Sequence, residues 1–256
     1  MRVSVVNFCS TALDMLDFST SMLLANAGTD DFDYFVVAWL PTPEVAGWID
    51  DHSRVHRLPF PTQPELDYVP QLRAMMNYGF DCGLAANDRA VIVNTDMAFG
   101  RDWLKNLMRR AEDPDLIPNS LHITPVDAGY APAQGVGIIK GNYGIPTWKT
   151  FDMPGFYDMA QSLSRDISYH EHDVRGGWES CATFPYVLHR KWWDRCGPWE
   201  LELDGKAEAP DRRFFRRCHE AGARFLLCHD SIVYHHEAVE RRRGRPPGAE
   251  HLAEGT

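Results

Sequence analysis

The sequence predicts an α/β fold with a mostly parallel central sheet flanked by helices. Three observations predict it. Short apolar runs rich in β-branched and aromatic residues recur, as VSVVNFC (3–9), DYFVVAWL (33–40), RVHRLPF (54–60) and RAVIVNTD (89–96). Segments with apolar residues at helical spacing lie between them. Strand, helix and strand in that rhythm give parallel strands with helices crossing over their faces.

The elements follow in order. VSVVNFC is a buried first strand. TALDMLDFSTSMLLANAG then places Leu13, Leu16, Met22 and Leu23 on one helical stripe and ends at Gly28. DYFVVAWL is stopped by Pro41 and Pro43. EVAGWIDDH is a short helix, RVHRLPF a third strand, and PQLRAMMNYGFDCGLAAN a longer helix. RAVIVNTD is the fourth strand, and Gly100 breaks the chain before the helix RDWLKNLMRRA. In parallel sheets, ligands bind outside the carboxyl ends of the strands. Asn94-Thr95-Asp96 stands at such an end. A carboxylate there either holds a hard cation that escorts substrate phosphates or caps the next turn.

The 256 residues suffice for one large α/β domain or two small ones. A content of 44% hydrophobic and 24% charged residues fits an ordinary soluble protein. The net charge of −10 excludes a general nucleic-acid binder, which needs a basic surface to displace counterions. Arginine is nevertheless concentrated in DRRFFRRCHEAGARF and ERRRGRPPG, as a solvated face or as a local site for an anion such as a diphosphate. The six cysteines form no C-x-x-C pair, which excludes a cysteine zinc site and predicts buried, reduced thiols in a cytoplasmic protein. No secretory leader is visible, and YFVVAWL is too short to span a bilayer, so any membrane contact is peripheral.

Other nucleotide-site signatures are missing. CSTALD after the first strand lacks the dinucleotide glycines, and GVGIIKG (135–141) has the wrong spacing. There is no P-loop and no G-x-S-x-G elbow. Residues 128–179 are irregular and rich in aromatics, including Trp148 and Trp178. Such rings stack on sugars or form a minor core under a long loop. His170-Glu171-His172-Asp173 is either a metal cluster or a polar surface loop.

Taken together, two stretches resemble the family 2 glycosyltransferases of the nucleotide-diphosphosugar GT-A fold. In residues 73–111, Asn77, Asn94, Asp96, Trp103 and Leu104 fall where that family has a helix asparagine, an Asp-x-Asp-like strand end and a Trp-Leu helix start. In residues 182–237, Arg190, Trp193, Gly197, Trp199-Glu200, Asp211, Arg217, Ala221-Gly222 and His235-His236 follow the family's order. The resemblance implies one domain over 1–237, with a donor half (1–111), an acceptor half (112–237) containing the insertion 128–179, and a flexible charged tail (238–256).

It also implies chemistry. Asp96 would hold a divalent cation, Mn2+ or Mg2+, with His236 or His235 as a further ligand. Asp211 would be the general base of an inverting transfer. Asn7, Trp39, Arg73, Asn77, Asn94 and Thr95 would line the site of a nucleotide-diphosphosugar donor. Trp148, Trp178 and Trp199 would face a hydroxyl-bearing acceptor, whether a saccharide, a lipid-linked molecule or a small molecule.

The sequence departs from the family pattern at three places. Pro210-Asp211 replaces an acidic pair, with Glu208 nearby. AWLPTP lacks a nucleoside-contacting Asp, so that either Trp39 stacks on the base or the base is read differently. Met76 stands where an Arg often precedes the helix Asn, with Arg73 one turn earlier. A non-catalytic nucleotide-sugar-binding relative, or a sugar nucleotidyltransferase of the same fold, are the alternatives. The second normally carries a Gly-rich opening loop that NFCSTALD lacks.

Overall fold

The computed structural model describes residues 1–9, 11–63, 65–125, 138–173, 177–181, 184–201 and 209–236. Glu208, Tyr130, the glycines at 135 and 137 and the 238–256 tail lie outside them. The first half runs β1 (Val3–Cys9), α1 (Leu13–Asn26), β2 (Phe32–Trp39), α2 (Pro43–Asp51), β3 (Val55–Phe60), α3 (Tyr68–Ala86) and β4 (Arg89–Ile92). It continues through β5 (Met97–Phe99), α4 (Trp103–Arg110), β6 (Leu116–Thr124), β7 (Ile138–Lys140), α5 (Met153–Leu163) and β8 (Ser168–His170). The last elements are α6 (Trp178–Cys181), β9 (Val187–His189), α7 (Arg190–Cys196), α8 (Pro210–Glu220) and β10 (Arg224–His235).

The expected parallel sheet is present in the order β3-β2-β1-β4, with β9 antiparallel at its edge. Every residue of β1 is buried, because helices cover both faces. Helix α3 comes close to β1 through two glycines. A Cβ at Gly79 would sit 2.8 Å from the Phe8 ring, and one at Gly83 would sit 2.9 Å from Val6. The spacing NYGFDCG is therefore a packing requirement.

The sheet is not a single one. The apolar run that reads as one strand divides at Ile92. Val93 still donates its N–H to Val6 O at 2.9 Å. The chain then turns through Asn94-Thr95-Asp96 and enters β5, in a second sheet ordered β5-β10-β6-β7, with β8 also on β10. Gly100 ends β5 by donating to Ile232 O at 2.9 Å, where a Cβ would come within 3.0 Å of that oxygen.

In the second sheet, β10 and β6 are parallel, with a bulge between Cys228 and Ile232. Asp230 in that bulge is buried and gripped by both arms of Arg110 (2.9 and 3.0 Å) and by Arg109 (2.8 Å). The stretch expected to be irregular contains α5, started by the Asp152 side chain accepting from Gly155 N–H. Phe151, Phe156 and Tyr143 there pack on Tyr234 of β10. All six cysteines are free thiols. Among the described residues no helix is long and apolar enough to cross a membrane.

Candidate active site where the two sheets meet

The turn between β4 and β5 carries the first group of predicted residues. Asp96 is only 4% exposed, yet its carboxylate meets a polar partner: Oδ1 lies 3.1 Å from Nε2 of His235, at the end of β10. The pairing follows from register, since Met97 and His235 are opposed in the β5–β10 ladder. Asn94 Nδ2 lies 3.3 Å from the same imidazole nitrogen. The Asp96 carbonyl accepts from the backbone N–H of His236 at 3.0 Å. His235 thus meets the carboxylate through its side chain, and His236 meets the Asp96 carbonyl through its main chain. Thr95 is buried in the same turn, and Ser19 of α1 reaches Asn94 O at 3.4 Å.

One member of this group has no counterpart in the sequence reading. His122 of β6 stacks on His235, with ring centroids 5.2 Å apart and planes 24° off parallel. Burial pushes its pKa down to about 3, helped by the neighbouring His235. It stays neutral throughout the physiological range. Two imidazoles and a carboxylate thus meet where two sheets end.

A second group is built differently. Asn77 of α3 grips the main chain of Trp199 twice, donating to its carbonyl at 2.9 Å and accepting from its N–H at 3.0 Å. Arg73, one turn earlier, donates to Leu201 O at 2.6 Å. Glu200 between them is bound by Arg213 (2.6 Å) and Arg217 (2.9 Å) of α8. Arg217 also holds the carbonyls of Cys196 and Pro198, each at 2.9 Å. Helices α3 and α8 therefore clamp residues 196–201 from two sides.

The third group surrounds Asp211 in the first turn of α8. Its Oδ1 accepts from the N–H of Arg212 at 2.8 Å. It is not the N-cap, a position taken by Ala209. Beside it lies the fully buried Tyr186, whose phenol is pushed well above its ordinary pKa by burial and then by the Asp211 charge.

The other predicted residues are placed as follows. Asn7 is wholly buried, donating to Tyr34 OH (2.8 Å) and accepting from Phe8 N–H (2.8 Å). Trp39 is also wholly buried, with Nε1 donating to Thr62 Oγ1 at 2.9 Å and its ring against Tyr68, so no face is open to a base. Trp199 is 5% exposed and packs on Phe80 and Phe184. Trp178 stacks on His219. Trp148 is 55% exposed and donates to Asp17 at 2.7 Å. Glu171 accepts from Phe225 N–H at 2.9 Å, while His170 and His172 stack on each other. Among the described residues no three His, Cys, Asp or Glu side chains are grouped to hold a metal.

No family model matches the chain, and no curated protein matches it. Its fold does match a solved structure. A mannosyltransferase from Pyrobaculum calidifontis, in complex with GDP-Man and Mn2+, superposes with a TM-score of 0.51 at 12% identity. The match covers 91% of this chain and 56% of that one, so the chain spans a little over half of that protein's length. The chain thus has a Rossmann-like mixed α/β fold, shared with that solved structure.

Proposed function

We propose that the protein is a glycosyltransferase that moves a sugar from a nucleotide-diphosphate donor to an acceptor hydroxyl, with inversion. One observation carries this reading: the buried Asp96 carboxylate, held 3.1 Å from His235 at the end of a parallel sheet. A carboxylate kept out of water at a strand end is costly unless it is paired with a cation or hydrogen-bond donors. The fold shared with a GDP-Man-binding, Mn2+-binding mannosyltransferase supports the same reading.

The donor set fits a divalent cation that the substrate itself completes. Magnesium-like ions sit on one or two protein ligands and take the rest of their shell from water and phosphates. Asp96 would be a protein ligand, with His235 or His236 as a further one. When bound, such an ion supplies neutralisation of the charge on the departing diphosphate.

The chain's own groups do the remaining work. Asp211 takes the proton from the acceptor hydroxyl as its oxygen bonds to the anomeric carbon. The bond to the diphosphate breaks on the opposite face, and that in-line course inverts the centre. Base assistance of this kind is worth ~10²–10⁴-fold. The clamp on residues 196–201 fixes the segment that leads toward the base.

A thermal-shift screen of GDP-mannose, UDP-glucose and dTDP-glucose, with and without Mn2+, tests the reading. A bound donor at 100 times its Kd raises stability by about 2.7 kcal/mol. The shift should need Mn2+ and disappear in Asp96→Asn. If no nucleotide moves the melting curve with Mn2+ present, the proposal fails.

A further inference from the structure

Tyr186 sits where the two sheets meet, its backbone bridged to Asn119 of β6 just ahead of β9. Its ring is fully enclosed. Phe215 of α8 meets it edge-on, with centroids 4.7 Å apart, and Phe184 and Phe80 lie at 5.2 and 6.1 Å. Those three rings are apolar and hold the phenol in one place. Its hydroxyl oxygen is nonetheless buried and makes no hydrogen bond. A buried hydroxyl in that condition carries a desolvation cost with no return, and such groups call for an explanation.

Helix geometry supplies one. Asp211 and Phe215 are four residues apart, on one face of α8. A ring packed on Phe215 therefore lies beneath Asp211. The ionisable groups that act on the phenol are Asp211 and Cys218, both from α8. The phenol stays protonated and offers a hydrogen at any working pH.

We infer that Tyr186 is a positioning residue for Asp211: its O–H donates to the carboxylate and leaves the other oxygen facing the acceptor. In the arrangement described, Oδ1 accepts from Arg212 N–H. Rotation of the Asp211 side chain would exchange that bond for one to Tyr186. During transfer the acceptor's proton passes to the Asp211 oxygen that Tyr186 does not hold, and Tyr186 keeps its own. The inference rests on Asp211 being the base.

The titration needs no substrate. The full chain is labelled with carboxyl-13C aspartate, and the Asp211 signal is assigned by its loss in Asp211→Asn. In Tyr186→Phe, the midpoint of that signal's titration should rise by roughly one pH unit, because the lost donor favoured the charged form. The melting temperature should change little, because the ring and its packing on Phe215 are kept. A midpoint identical to that of the parent protein overturns the inference, and leaves the base assignment standing if Asp211→Asn has no turnover. Turnover by Asp211→Asn overturns the base assignment instead, whatever the titration shows.

Discussion

Asp96 and Asn77 belong to the same stretch of sequence, and the structure uses them in opposite ways. Asn77 satisfies both ends of its amide on the main chain of Trp199. Its neighbours Arg73, Arg213 and Arg217 are likewise bonded to a carbonyl or a carboxylate of the 196–201 segment. Asp96 instead faces an imidazole, with a second imidazole and an amide close by. Motif residues of similar appearance therefore do two jobs. One set fixes backbone, and the other gathers ionisable side chains at the strand ends. The difference teaches that a motif position alone does not say which of the two jobs its residue does.

The largest effect should come from the ionisable set. Asp96→Asn keeps a hydrogen-bonding partner for His235 but removes the charge. Turnover of a GDP-mannose donor with Mn2+, measured as nucleotide release, should fall by ~10³-fold or more, the size of several kcal/mol of lost charge stabilisation. The melting temperature should change little. If turnover persists, Asp96 joins Asn77 as a structural residue and the comparison collapses.

Asn77→Ala should do the converse. Two main-chain groups of Trp199 lose their partners, at a cost of about 1–3 kcal/mol in urea unfolding. The Mn2+-dependent melting shift caused by the donor should survive. A lost shift with unchanged stability would move Asn77 from the clamp to the donor site.

The sequence showed one of these regions far better than the other. β1 to β4 and the helices between them were legible because each element has one period and a clear stop. The division of residues 91–99 between two sheets was hidden, because Val91 to Val93 and Met97 to Phe99 are equally apolar and buried. His122 was invisible for a different reason. It lies in LIPNSLHIT, where Asn119, Ser120, His122 and Thr124 are all buried, so the usual polar-out alternation fails. Its partner His235 comes from a distant strand, and no local spacing reports a parallel pairing of that range. The packing of the aromatic residues was likewise not legible. Trp199 and Trp39 have a polar tip and look suited to a ligand, but both are enclosed by other rings.

A pH signature should also separate the two regions. His122 is held neutral, its pKa lowered to about 3 by burial and by His235, with Lys140 adding slightly and Asp96 opposing. Its folded value lies below the unfolded value of about 6.5. As pH falls through that window, the unfolded chain takes up a proton that the folded chain refuses. Stability from this group is therefore complete above about pH 6.5 and declines toward pH 3, at up to ~1.4 kcal/mol per pH unit. Urea midpoints measured from pH 7 to 4 should show the decline, and His122→Asn should flatten it. Asn77→Ala should shift the whole curve downward without flattening it.

The smallest functional effect belongs to Trp39. The ring is fully enclosed, packs 5.8 Å from Tyr68 and spends its N–H on Thr62. Trp39→Phe removes that bond and some packing, at a cost of roughly 1–3 kcal/mol. None of that loss should reach the donor, because no face of the indole is open to a nucleoside. The donor-induced melting shift should equal that of the parent protein once each is referred to its own ligand-free midpoint. A weakened shift for every nucleotide would mean that β2 transmits its packing to the strand ends. A shift lost for one base and kept for the others would mean that the indole leaves its pocket to read the nucleoside, which would move Trp39 out of the structural set and into the binding one.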